Sequence, residues 1–256
     1  APSRGAVLLS ANNKMYDTTY PYRLSAAFEP PYRAYRIATL LHARTTYDAA
    51  YFERMQMDAC SPIDAEIARD VTRITHAQAL AHWDGCFVPR SRTASIEHEM
   101  RDDLLEQSTS LATLLANLRH PEFNTRNGID ENAAAALSAM ESDRRTWARA
   151  GRVNVEHPLS QAWYGLLSGT PLPGNGDEFS IHLQEPGFAQ GFRAVWDIGN
   201  WDAGGIALPS GESGEPGSGH YDDAVRAWVS GGVVPLAFSP RAVARATVTT
   251  LVLRPR

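Results

Sequence analysis

The sequence predicts an α+β protein. Apolar residues recur at three- and four-residue spacing through most of the first 150 positions, glycine, proline and short β-rich runs take over near Gly151, and strand-like segments stand at both ends, where they can share one sheet. The 256 residues suffice for one large domain or two small ones. The chain is read as one region, 1–256, mainly helical over 1–150 and strand-rich over 151–256.

Taken in order, residues 5–10 read as a strand, followed by a turn-rich passage holding Asn12-Asn13-Lys14 and Tyr20-Pro21-Tyr22 and ending at Pro30-Pro31. Tyr32, Tyr35, Ile37, Leu40 and Leu41 then mark one buried helical face. Ser61-Pro62-Ile63-Asp64 signals the next helix. Serine caps its first turn, proline needs no amide partner there, and the acidic side chain suits the positive end of the dipole. This helix runs on through Ile67, Val71 and Ile74. Between Thr93 and Leu118, the residues Ile96, Met100, Leu104, Leu111, Leu114, Leu115 and Leu118 give one long helix or two shorter ones, and an alanine-rich helix follows over 131–150. Strands are predicted over 179–183, 192–198, 205–208 and 247–253. A helix is predicted over 221–229, and another begins at Ser239-Pro240 with a serine cap.

Composition excludes several classes. The net charge of −5 gives no basic field for nucleic acid or an anionic membrane, and no run approaches the roughly 18 apolar residues of a bilayer span. Of 24 basic residues only Lys14 is a lysine, a bias that fits a GC-rich genome better than a binding stripe. The chain opens Ala1-Pro2-Ser3 with neither charged n-region nor apolar h-region, so no signal peptide is read, and the start is expected to lie inside a longer polypeptide. A bridge between Cys60 and Cys86 would close a loop of about 26 residues; two free thiols are an equal alternative.

No complete catalytic motif stands out. Gly211-Glu212-Ser213-Gly214 lacks the spacing of a nucleophile elbow, and the glycine-rich loop after Leu208 carries acids where a phosphate site needs a lysine. His98-Glu99-Met100-Arg101-Asp102 misses the second ligand of a zinc helix and reads as a solvated charged face. His220, beside Asp222 and Asp223, reads as a group that caps a helix and orders its loop.

The string Leu208-Pro209-Ser210-Gly211-Glu212-Ser213-Gly214-Glu215-Pro216-Gly217-Ser218-Gly219-His220-Tyr221-Asp222-Asp223 resembles the C-terminal signature of the penicillin acylase family of amidohydrolases. So do Val195-Trp196-Asp197-Ile198-Gly199 before it, and Val234-Pro235-Leu236-Ala237-Phe238-Ser239 and Thr250-Leu251-Val252-Leu253-Arg254-Pro255 after it. Ala11-Asn12-Asn13, Tyr20-Pro21, Pro31-Tyr32-Arg33-Ala34-Tyr35-Arg36-Ile37, Met55-Gln56-Met57-Asp58 and Trp83-Asp84-Gly85 occur in the family's order, so the resemblance covers essentially the whole chain.

The resemblance implies an N-terminal nucleophile hydrolase of αββα type, of which this chain is the C-terminal part of the β chain. In that family a precursor is cut into α and β chains, and the new N-terminal serine of β attacks a linear amide with its own α-amine as base. That serine lies upstream of the Asn-Asn segment, so the resemblance implies that this chain lacks the nucleophile and is silent alone. Asn12 corresponds to the asparagine that donates to the oxyanion. Arg33 corresponds to the arginine that orients that asparagine and the substrate, with Arg36 as the competing alignment. Tyr20, Phe28 and Tyr32 either reach an acyl pocket or belong to the core. Calcium-binding members carry an acid shortly after Tyr-Pro, where this chain has Tyr22-Arg23-Leu24, so no metal and no cofactor is inferred.

The implied partners are the α chain, the N-terminal part of the β chain and a small-molecule amide, either an acylated β-lactam or an N-acyl homoserine lactone. Neither nucleic acid nor membrane is implied. The implied location is the periplasm or the exterior of a GC-rich bacterium. The rival reading is a family-derived binding or scaffolding domain without catalysis.

Overall fold

The computed structural model describes residues 7–123, 128–140, 142–157, 159, 167–169 and 171–255. Among these, the helices are α1 (Tyr32–His42), α2 (Ala49–Gln56), α3 (Pro62–Thr75), α4 (Arg92–Glu106), α5 (Leu111–Arg119), α6 (Ile129–Met140), α7 (Trp147–Ala150), α8 (Val225–Ser230) and α9 (Pro240–Ala246). The strands are β1 (Gln184–Glu185), β2 (Phe188–Ala189), β3 (Arg193–Val195), β4 (Gly205–Ala207) and β5 (Val234–Pro235). The fold is α+β, with helix in excess and strands of only two or three residues. The chain forms two compact units, one built from Ala1–Thr45, Met57–Asn154 and Pro171–Ala189, the other from Thr46–Gln56, Val155–Thr170 and Gln190–Arg256.

The first unit is a helical core. Ser61 caps α3 by accepting the Asp64 amide, Pro62 occupies the first turn, and Ile63, Ile67 and Val71 are buried along one face. Ser91 and Ser110 cap α4 and α5 in the same way. The apolar run 93–118 is thus broken into two helices, because the Ser110 hydroxyl takes the Thr113 amide at the start of a new turn. Met100 and Leu104 of α4, Leu114 and Leu118 of α5, and Ala133 and Leu137 of α6 close the core around α3. The alanine-rich segment gives α6 and the single turn α7, whose Trp147 is fully buried and donates its indole N–H to the Gly176 carbonyl at 2.8 Å.

Cys60 and Cys86 form a disulfide. It joins the start of α3 to the turn at Gly85, where φ is +81° and a Cβ would stand 2.5 Å from the Ser61 carbonyl oxygen, so only glycine fits. Residues 179–183 are turns and bends where a strand is predicted. There the Ser180 hydroxyl accepts the Asp177 amide at 2.8 Å, a local bond that competes with strand pairing. The two-strand hairpin β1–β2 follows, pairing Gln184 with Ala189 and Glu185 with Phe188.

The second unit is built on an antiparallel sheet in the order β3-β4-β5, with Ala194 opposite Ile206 and Ile206 opposite Val234. The Gln56 amide at the end of α2 donates to the Ala194 carbonyl of the edge strand β3 at 2.9 Å. Trp228 of α8 is buried; its indole donates to the Gly191 carbonyl at 3.1 Å, and the Arg193 guanidinium lies 5.3 Å from its ring centre. Ser239 caps α9 through the Ala242 amide, with Pro240 in the first turn.

Among the described residues, neither 7–10 nor 247–253 joins a sheet, contrary to the strand readings for 5–10 and 247–253. Leu8 is 82% exposed and Val248 93% exposed. A strand exists by exchanging hydrogen bonds with a neighbour, and among the described residues none lies beside either segment. Residues 5 and 6 lie outside the described residues.

Candidate active site

The Asn12-Asn13 step is a sharp backbone reversal. Asn12 has φ +64°, in the left-handed region that asparagine tolerates better than most residues. The Glu29 amide donates to the Asn12 carbonyl at 3.0 Å, which returns the chain past this turn before α1 begins.

Arg33 sits in the first turn of α1 and is half-buried. Its Nη2 donates to Asn12 Oδ1 at 3.1 Å, across 21 residues of sequence. This bond fixes the amide orientation. With Oδ1 committed as acceptor, Nδ2 carries its two N–H groups on the other side, and among the described residues neither meets an acceptor. Arg33 also has no carboxylate partner among the described residues. Arg36, three residues on, is committed elsewhere: Nε meets Asp58 Oδ1 at 2.9 Å and Nη2 meets Oδ2 at 2.7 Å, a two-pronged pair. Asp58 also accepts the His182 amide through its carbonyl. The two arginines therefore differ in kind, one locked to an acid and one presenting charge beside an amide.

The aromatic residues divide. Tyr32 packs against the core, its ring 6.1 Å from that of Phe179. Tyr20 and Phe28 are exposed and both touch the ring of Tyr16, at 5.2 and 5.7 Å.

A second polar cluster, unforeseen from the sequence, lies inside the first unit. His98 and Arg101 are buried, which overturns the reading of this stretch as a solvated face. Arg101 Nη1 donates to Asp64 Oδ1 and Asp177 Oδ1, each at 2.7 Å, and the guanidinium lies 5.4 Å from the Phe179 ring centre. His98 Nδ1 meets Asp177 Oδ2 at 2.8 Å; Arg101 Nη2 is 3.0 Å from the same nitrogen, which cannot serve both, and the opposite charge of the carboxylate takes it. Burial alone would raise Asp177, but Arg101 and His98 outweigh it and hold the carboxyl at about 2. Burial would lower His98, yet its bond to Asp177 raises it. Burial pushes Glu178 up to about 7, against the pull of Arg101.

Glu97 differs from these. It is wholly buried, and among the described residues neither carboxyl oxygen has a hydrogen-bond partner. Burial, reinforced by the charge of Asp64, drives its pKa well above the ordinary value, so the site favours the protonated acid over the carboxylate. The signal in the sequence was there: Glu97 and Arg101 are spaced i, i+4 among Ile96, Met100 and Leu104. The same spacing on a surface helix is commonplace.

No group of three or more His, Cys, Asp or Glu among the described residues has a metal-holding arrangement, and no helix among them is long and apolar enough to cross a membrane. His220 meets Asp223 Oδ2 at 2.8 Å in the open, within a loop closed by Gly211 N–H to the Tyr221 carbonyl and Ser213 N–H to the His220 carbonyl. The loop is thus ordered by its own backbone.

Comparison with known proteins supplies the family. The profile described as "Penicillin amidase" matches residues 1–245. The penicillin acylase 2 proenzyme of Pseudomonas sp. (strain SE83) is 27% identical over 305 aligned positions, covering 98% of this chain and 39% of the proenzyme. The acyl-homoserine lactone acylase QuiP of Pseudomonas putida is 29% identical over 123 positions, covering 44% of this chain and 15% of that protein. QuiP of Pseudomonas aeruginosa is 32% identical over 85 positions, covering 30% and 10%. This chain therefore spans well under half the length of these relatives. With a family profile running through nearly all of its residues, from the Asn12-Arg33 pair to α9, the chain belongs to the penicillin amidase family.

Proposed function

We propose that this chain is the C-terminal part of the β chain of an N-terminal nucleophile amidase, and that Asn12 and Arg33 are its contribution to the reaction. The observation that carries this reading is the Arg33 to Asn12 hydrogen bond, which leaves an amide donor and an unneutralised guanidinium side by side. In the assembled enzyme the N-terminal serine, supplied from outside this chain, attacks the carbonyl carbon of a linear amide. Its proton passes to its α-amine through water, and the carbonyl π electrons move onto oxygen. Asn12 Nδ2 donates to that oxygen. An amide suits this role because it donates without titrating and, held by Arg33, needs little reorganisation as charge develops. The Arg33 charge adds to the same stabilisation.

The relatives' names give two substrate classes, penicillin-type and homoserine-lactone amides, and both are linear amides with an acyl side. The partners of this chain are the α chain and the N-terminal part of the β chain, and the chain alone is catalytically silent. The compartment is the periplasm or the cell exterior. The test is kinetic, in the enzyme assembled with its remaining portions. Asn12→Ala should lower kcat by about 10²–10³, with KM little changed. Unchanged turnover would remove Asn12 from the site.

A further inference from the structure

The left-handed conformation of Asn12 points to a second residue on which the amide depends. Only Asn12 and His76 among the described non-glycine residues have positive φ. Such a backbone costs energy and persists where its surroundings hold it. Around Asn12 the holding groups are identifiable. Asn13 Oδ1 accepts the Ala11 amide at 3.1 Å, and Asn13 Nδ2 donates to the Lys14 carbonyl at 3.2 Å. One side chain thus ties the residue before Asn12 to the residue after Asn13. Ala11 is buried, so its amide relies on this bond where little water reaches. The Glu29 amide also holds the Asn12 carbonyl, at 3.0 Å. Between these anchors the Asn12 backbone has little freedom, and its Cα–Cβ direction is the one that lets Oδ1 meet Arg33.

We infer that Asn13 is a positioning residue: it touches neither substrate nor oxyanion, and it holds Asn12 in the left-handed turn from which Nδ2 can donate. This rests on the proposed role of Asn12. Without the Asn13 clamp the turn relaxes toward right-handed backbone, Oδ1 swings off Arg33, and the donor no longer points at one place. Displacing a catalytic group by about 1 Å is enough to cost on the order of 10²-fold in rate.

The experiment is a double-mutant cycle in the assembled amidase, with rates counted per titrated N-terminal serine. Asn13→Ala should lower kcat by about 10-fold or more while KM changes little. In the Asn12→Ala background the same Asn13→Ala change should alter kcat less than about twofold, because the group it positions is gone. A general structural role would give equal losses in both backgrounds, and that result overturns the inference, as does an Asn13→Ala kcat within about twofold of wild type. An Asn12→Ala enzyme of full activity is a different failure, since it removes the proposed function itself.

Discussion

Replacing Glu97 by glutamine should change how stability depends on pH, by an amount the buried cluster fixes. Glu97 lies wholly inside the first unit, burial and the Asp64 charge raise its pKa well above the ordinary 4.5, and both of its oxygens lack partners among the described residues. Below pH 4.5 the folded and unfolded chains both carry it protonated, and its contribution is fully present. As pH rises, the unfolded chain ionises while the folded chain keeps its proton, so stability falls until the folded carboxyl itself titrates. The slope is about 1.4 kcal/mol for each pH interval of one, so between pH 4.5 and pH 7 the wild type loses at most about 3 kcal/mol to this group. Glutamine has the same shape and no proton to lose. Urea denaturation of both proteins at pH 4.5, 5.5 and 7 should show the variant gaining on wild type by up to that amount across the series. The offset at pH 4.5 is a separate matter, set by how the glutamine N–H groups are accommodated. Glu178, also raised by burial, is present in both proteins and drops out of the difference. A gap between the two proteins that stays constant from pH 4.5 to 7 would refute the neutral buried acid.

The remaining predictions concern the same unit. Arg101→Met should destabilise by about 3–5 kcal/mol, since it leaves Asp64 buried without its counter-charge and Asp177 with His98 alone; an unchanged urea midpoint would contradict the pairing. Opening the Cys60–Cys86 bridge, by Cys60→Ala with Cys86→Ala, should cost about 3.5 kcal/mol on the chain-entropy scale for a 26-residue separation, read as a lower melting temperature against the unreduced wild type.

The local chemistry of the helix starts was legible in the sequence. The Ser61-Pro62 and Ser239-Pro240 caps appear where the serine, proline and first-turn pattern puts them, because a capped turn is settled within four residues. Helix α2 was missed: Ala49–Gln56 is only eight residues long and buries none of them, so its two turns are too short a stretch for periodicity to separate from a loop. The run 179–183 has strand composition, yet Ser180 and Asp177 close a local turn there. The end segments have strand composition too, and composition supplies no partner.

The sequence by itself determined the α+β class, the capped helices, the family and the Asn12 and Arg33 pair as candidates, since each depends on residue type at short spacing or on an ordered set of motifs. Only the tertiary structure decided the rest. It brings Arg33 to Asn12 across 21 residues and commits Arg36 to Asp58, although both arginines lie on one turn of one helix. It also buries Arg101 between acids 37 residues before it and 76 after it. A charged side chain in the sequence carries no mark of whether its counter-charge waits in water or in another helix. That depends on which distant segments pack against it, and packing sets the dielectric in which the charge must live.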